Sequence, residues 1–287
     1  MQIRVPAVPA LATLFLASAC AAGPAAREAA PPPVTDAATL ATLDRVLAGD
    51  HRSAANRARD AWRHPKETLA FFGLRGDMTV LEVWPGGGGW YTELLAPVLR
   101  ERGRYIAAGF DPKTDSQYMQ NGIKAFAEKL ASRPDLYDRV TVTALQHPGA
   151  LKPVADGSVD MVLTFRNLHN WMAREAAEAM IGAMYAALRP GGILGLVEHR
   201  GNPSQPQDPR AKSGYVRADY AIELARAAGF ELIGQSEINA NPKDTKDHPD
   251  GVWSLPPTYR GGDTDRERFA AIGESDRMTL KFRKPAG

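Results

Sequence analysis

The stretch VLEVWPGGGGWYTELLAP, residues 80–97, decides the fold. A short apolar run carries an acid near its end, Glu82, breaks into the glycines Gly86 to Gly89 and passes straight into a helical pattern. Glycine has no Cβ, so a ligand can approach the backbone closely. A strand, a glycine turn and a helix in succession put that bare backbone at the carboxyl edge of a parallel sheet, where open α/β folds bind their ligands.

Outward from this turn, strands and helices alternate. The strand patterns fall at Val80 to Val83, Tyr105 to Phe110, Val140 to Ala144, Val159 to Phe165, Ile193 to Glu198, Phe230 to Ile238 and Met278 to Phe282. Helical patterns lie between them at Trp90 to Arg102, Ser116 to Ser132, Ala173 to Leu188 and Val216 to Ala228. The alternation predicts an α/β fold with a mostly parallel sheet and helices on both faces. Ahead of it, Ala37 to Trp62 reads as a helix over the sheet edge or the ligand site, with Pro65 marking its end.

Three ligand classes use such a turn. A mononucleotide loop needs Gly-Lys followed by Ser or Thr, which is absent here. A dinucleotide site needs a third glycine, but the position that requires it is Tyr91 or Thr92, depending on the frame. S-adenosylmethionine remains, and it asks for close backbone approach together with an acid after the second strand for the ribose hydroxyls. Asp111 follows that strand.

Further segments join this one: DGSVDMVLTFRNLHNW (156–171), LRPGGILGLVEHR (188–200), AGFELI (228–233) and MTLKF (278–282). Together, over Arg63 to Lys284, they resemble the class I S-adenosylmethionine-dependent methyltransferases. WPGGGGWYTELLAP and GESDRMTLKF are similar to a bacterial subgroup of methyltransferases that often carry export signals. The resemblance implies a Rossmann-like, seven-stranded sheet in the order 3-2-1-4-5-7-6 with the last strand antiparallel. It implies cofactor contacts from Glu82, Gly86, Gly87, Gly88 and Asp111. Trp84 departs from the pattern by standing where the first glycine belongs, and Gln146 follows the third strand where the family often has an acid. Trp84 and Trp90 could wall the sulfonium.

Methyl transfer needs a positioned nucleophile, exclusion of water and, for a protonated acceptor, a base. Candidates lie after the fourth and fifth strands: Asn167, His169 and Trp171, then Glu198, His199 and Arg200. His169 and His199 should open into one crevice, and histidine is the natural base near neutral pH. Either could instead be a hydrogen-bonded loop residue. The pair with Glu198 could bind metal, but strand alternation sends Glu198 and His199 to opposite faces, so no metal is expected. Arg200 and Arg260 could hold an anionic substrate or pair with surface acids. Trp171 and Trp253 read as packing residues, and Asp276 and Arg277 as a cap on the last strand, with reach into the site as the alternative.

Net charge is +2 over 287 residues, with both signs mixed along the chain, which speaks against a nucleic-acid partner. No protein partner is expected, only a small-molecule substrate. Residues 1–19 read as an export signal: Arg4, an apolar run Val5 to Leu16, then Ala17, Ser18 and Ala19. LASAC, residues 16–20, resembles a lipobox, which would put a lipid anchor on Cys20 at a membrane; plain cleavage at the same site is the alternative. Ala21 lacks the inner-membrane retention aspartate, which favours the outer membrane. Residues 20–36 read as a disordered tether, and 37–287 as one domain in which 239–275 forms a lid or insertion.

Two functions follow. One is a small-molecule methyltransferase that uses S-adenosylmethionine. The other is an exported, non-catalytic ligand-binding protein of the cell envelope on the same fold, because the cofactor is made in the cytosol.

Overall fold

The computed structural model describes residues 1–3 and 31–286. Cys20, most of the expected export signal and much of the expected tether fall outside the described residues.

Seven strands form one sheet: β1 Thr79–Val83, β2 Arg104–Gly109, β3 Thr141–Ala144, β4 Val159–Phe165, β5 Leu188–His199, β6 Glu231–Ser236 and β7 Arg277–Arg283. Their order is β3-β2-β1-β4-β5-β7-β6, the order the resemblance implies. β1 to β5 pair in parallel, and β7 runs antiparallel between β5 and β6.

Alternation along each strand feeds two cores. Leu81 and Val83 of β1 face one, with helices α8 Leu168–Ala173, α9 Ala177–Ala187 and α10 Ala218–Ala227. Val80 faces the other, with α1 Ala37–Leu47, α4 Pro65–Phe72 and α5 Thr92–Leu99. Gly195 of β5 lets α4 lie close, since a Cβ there would come within 2.7 Å of the Phe72 ring. The remaining helices are α2 Ala54–Arg57, α3 Asp60–Arg63, α6 Gln117–Ser132, α7 Pro134–Tyr137 and α11 Arg266–Ile272. No helix among the described residues is long and apolar enough to cross a membrane.

Two expectations need correction. The single helix from Ala37 to Trp62 is three, broken after Leu47, and Pro65 opens α4 rather than ending its predecessor. Proline suits a first helical position because its missing N–H would have had no partner there. The helix expected over Ala173 to Leu188 starts only at Ala177, because Glu175, with a φ of 56°, ends the preceding α8.

The helices after β1 and β4 leave toward opposite cores, so the sheet reverses its winding between these neighbours. Ligand crevices form at such a switch point. The residues following the two strands, Trp84 and Arg166, both turn through left-handed backbone, with φ of 51° and 60°.

Candidate active site

The carboxyl ends of β1, β4 and β5 open into a cavity of about 400 Å³. Its floor includes Trp84, Gly86, Gly88, Asn167, His169 and His199, so sequence-predicted residues from three strand ends meet in one place. Val252, Trp253 and Pro256 from the 239–275 segment also line it. That segment is anchored by Asp244, whose buried carboxylate accepts from Tyr215 Oη at 2.8 Å and from the Asp276 amide at 2.8 Å.

His169 and His199 lie with ring centroids 5.3 Å apart. Glu198, fully buried, accepts from the His199 amide at 2.8 Å and the His169 amide at 3.2 Å. Its Oε1 lies 3.0 Å from His169 Nδ1. A carboxylate that already accepts amide protons at both oxygens accepts from the ring too, so Nδ1 carries the proton and the lone pair of His169 is on Nε2. His199 Nδ1 pairs with Ser275 Oγ at 2.5 Å. Burial, then the charges of His169, Arg166, Arg277 and Arg63, hold His199 well below the ordinary histidine range, so it is neutral at pH 7.

The expectation that Glu198 and His199 diverge fails. One ligand-type atom from each of His169, Glu198 and His199 lies within 4.8 Å of the others. The last strand residue is free of the pleat beyond it, and α8 brings His169 onto the Glu198 carboxylate. Three hydrogen bonds already occupy that carboxylate.

Asn167 is a positioning residue. Its Nδ2 donates to Val83 O at 2.8 Å and to Thr164 Oγ1 at 3.2 Å, tying the end of β1 to β4. Glu82 is buried, and Tyr105 donates to its Oε2 at 2.5 Å. Burial pushes its carboxyl up to about 7 against the pull of Tyr105 and Arg166. Gly87 serves packing, because a Cβ there would come within 2.9 Å of the Ala125 Cβ on α6.

Asp111 and Gln146 border neither this cavity nor the apolar one of about 480 Å³ between α6 and the ends of β2 and β3. Asp111 Oδ1 accepts from the Lys113 amide at 2.9 Å, and Gln146 Oε1 accepts from the Asp111 amide at 3.0 Å. Between them and the glycines stands Trp84. Its Nε1 donates to Leu145 O at 2.7 Å, and the indole packs edge-on against Phe110 and Trp171.

A feature absent from the sequence reading occupies the other wall. Arg59, Arg63, Arg166 and Arg277 line the cavity around Glu274. Arg59 Nε lies 2.5 Å and Arg63 Nε 3.3 Å from the Glu274 carboxylate, which Arg277 also contacts. Arg200 pairs instead with Asp276 and Glu237, and Arg260 stacks on Trp253, so neither joins this group. Of this group the sequence singled out only Arg277, next to the last strand; Arg59 and Arg63 come from a segment more than 200 residues away.

Residues 85–196 match the methyltransferase domain family. Over that stretch the chain carries a methyltransferase domain, on the fold of the class I S-adenosylmethionine-dependent enzymes. The fold is shared with the cyclase SpnF, 20% identical over 90% of this chain and 100% of that one, TM-score 0.57. It is shared with a SAM-dependent methyltransferase from Aquifex aeolicus, 15% identical over 87% of this chain and 98% of that one, TM-score 0.52. A putative sarcosine dimethylglycine methyltransferase from Galdieria sulphuraria is 15% identical over 83% of this chain and 89% of that one, TM-score 0.53. Among curated proteins none matches the sequence. A cyclase and methyltransferases share this architecture, so chemistry has to be argued from side chains.

The cofactor of the methyltransferase domain is S-adenosylmethionine. The glycine loop fits it: a Cβ at Gly86 or Gly88 would meet nothing within 4 Å, so bare backbone borders open space. Gly86 and Gly88 would hold its methionine end, whereas Asp111, expected at its ribose, lines neither cavity. The methyltransferase domain differs from the family pattern where the Trp84 indole separates these two groups.

Proposed function

We propose that this protein transfers a methyl group from S-adenosylmethionine to a small molecule, with His169 as the base that takes the acceptor's proton. The observation that carries the reading is the buried Glu198 carboxylate on His169 Nδ1, which leaves Nε2 as the basic nitrogen of a residue lining the cavity beside the glycine loop.

When bound, the cofactor supplies an already activated methyl group, so the protein's work is positioning and proton removal. A base in hydrogen-bond reach of the acceptor contributes on the order of 10²–10⁴ in rate. His199, neutral and held by Ser275, keeps a second imidazole beside it without adding positive charge. Trp253 and Val252 line the crevice. The test is release of S-adenosylhomocysteine when the chain is given S-adenosylmethionine and a small-molecule extract. His169→Ala should abolish the release and leave cofactor binding intact; equal release by both chains would refute the assignment.

The reading includes export, supported by the apolar run Val5 to Leu16, and a lipid anchor on Cys20 in LASAC. A Cys20→Ser chain should then leave the membrane fraction, and one that stays in it counts against the anchor.

A further inference from the structure

The guanidinium wall has more positive charge than the protein balances. Arg63 and Arg277 are each 2% exposed and share the Glu274 carboxylate with Arg59. Arg63 Nη1 and Arg277 Nε are buried with no hydrogen-bond partner. The face of Arg63 lies over the Trp90 ring at 4.6 Å, which leaves its edge for other contacts. Arg166 lines the same cavity, and no carboxylate pairs with it among the described residues. Four guanidiniums therefore face the Glu274 carboxylate and Glu82, whose carboxyl is pushed up to about 7 by burial. Burial and the neighbouring cations hold Arg63 well below the ordinary arginine range and bring Arg166 down to about 10.

Charges withdrawn from water cost several kcal/mol each unless they are paired. A protein that keeps such an excess at the wall of an open cavity, with unfilled donors, is built for an anion from outside. Guanidinium is suited to this because its donors form a fixed fork that matches oxyanion geometry. The excess calls for a ligand that carries more than one negative charge. The amino-acid end of S-adenosylmethionine has a carboxylate and an ammonium, which cancel, so it cannot balance the wall.

We propose that the arginine wall binds a doubly charged oxyanion, a phosphate or phosphonate group, carried by the methyl acceptor. The part of this statement that names the acceptor rests on the methyltransferase reading; the anion site does not. The group would sit against Arg63, Arg166 and Arg277, opposite the two imidazoles, so a substrate anchored there presents its remaining atoms to His169. A metal ion in the histidine cluster is disfavoured by the same field, since every cation on this wall repels it.

The test is calorimetric titration of inorganic phosphate into the full chain, with acetate as the singly charged comparison. Each is run alone and with saturating S-adenosylhomocysteine. We expect phosphate to bind at one site at least tenfold more tightly than acetate, and to bind equally well with S-adenosylhomocysteine present. Arg166→Gln, which removes no intramolecular ion pair, should fold normally and weaken phosphate at least tenfold; Arg260→Gln should leave it unchanged. No phosphate binding by the folded chain, equal binding of acetate, or unaltered binding by Arg166→Gln overturns the anion site. Displacement of phosphate by S-adenosylhomocysteine assigns the wall to the cofactor's carboxylate and overturns the acceptor. If S-adenosylhomocysteine does not bind while phosphate does, the methyltransferase reading fails and the anion site stands.

Discussion

The indole Nε1 of Trp84 donates to the carbonyl of Leu145 over 2.7 Å, so a side chain from the end of β1 crosses β2 and closes on the residue after β3. In the family pattern this position is a glycine. Trp84 holds a φ of 51°, which glycine adopts freely and a bulky residue does not. Trp84→Gly relieves that backbone and opens the ground between the glycine loop and Asp111. Affinity for S-adenosylhomocysteine should rise about tenfold, or roughly 1.4 kcal/mol. Calorimetry checks this, and weaker binding by the variant would mean that the indole is part of the cofactor site.

Glu198 acts through His169. Glu198→Gln keeps the shape of the pair but can present an amide N–H to the ring, which permits the wrong tautomer. Turnover should fall, though by less than in His169→Ala, for which about 10²–10⁴ is expected. Nitrogen NMR separates positioning from general damage: the His169 Nδ1 signal should lose its protonated character in Glu198→Gln, with the fold retained.

Acid stability should follow Glu274. Burial alone would raise its carboxyl, but Arg277, Arg63 and Arg59 prevail and hold it at about 2 against an ordinary 4.5. A carboxyl lowered on folding contributes stability in full above its unfolded value, and this is lost as pH falls through the folded one. The gap corresponds to about 3 kcal/mol. Glu274→Gln should therefore destabilise the protein near pH 7 and have little effect near pH 2, as read by denaturant unfolding across that window. Added phosphate should restore part of the loss at pH 7, because it binds the folded state alone.

Trp171 is a core residue. It is fully buried among α8, α9 and the sheet, and its Nε1 has no hydrogen-bond partner. Trp171→Ala should cost about 3–5 kcal/mol through the cavity it leaves. Trp171→Phe should cost less than half as much, because it removes an unsatisfied donor along with the lost contacts. Equal costs in urea unfolding would show that the N–H has a partner.

The fold was legible because it is written locally. Apolar alternation marked all seven strands, and the glycine turn, RPGG and the terminal MTLKF run fixed their order through the resemblance. The site was half legible. His169, His199, Gly86 and Gly88 follow strands directly, so register alone carries them to the crevice. Glu198 was discounted because alternation governs residues inside a strand and loosens at its last position. Arg59, Arg63 and Glu274 were invisible, and Arg277 was read as a strand cap, for another reason. They are more than 200 residues apart along the chain, as in the Arg63 to Glu274 contact, and no spacing rule links them until β7 is threaded beside β5. Asp111 and Gln146 had the right positions, but Trp84 lies between them and the cavity, a consequence of one side-chain rotamer that periodicity cannot show.

The most direct test of the account is calorimetric titration of S-adenosylhomocysteine into the full, folded chain. The account predicts saturable one-site binding in the micromolar range that is lost in Gly88→Val, whose side chain would fill the open space beside the loop. A folded chain that takes up no S-adenosylhomocysteine, or a Gly88→Val variant that binds it unchanged, would contradict it.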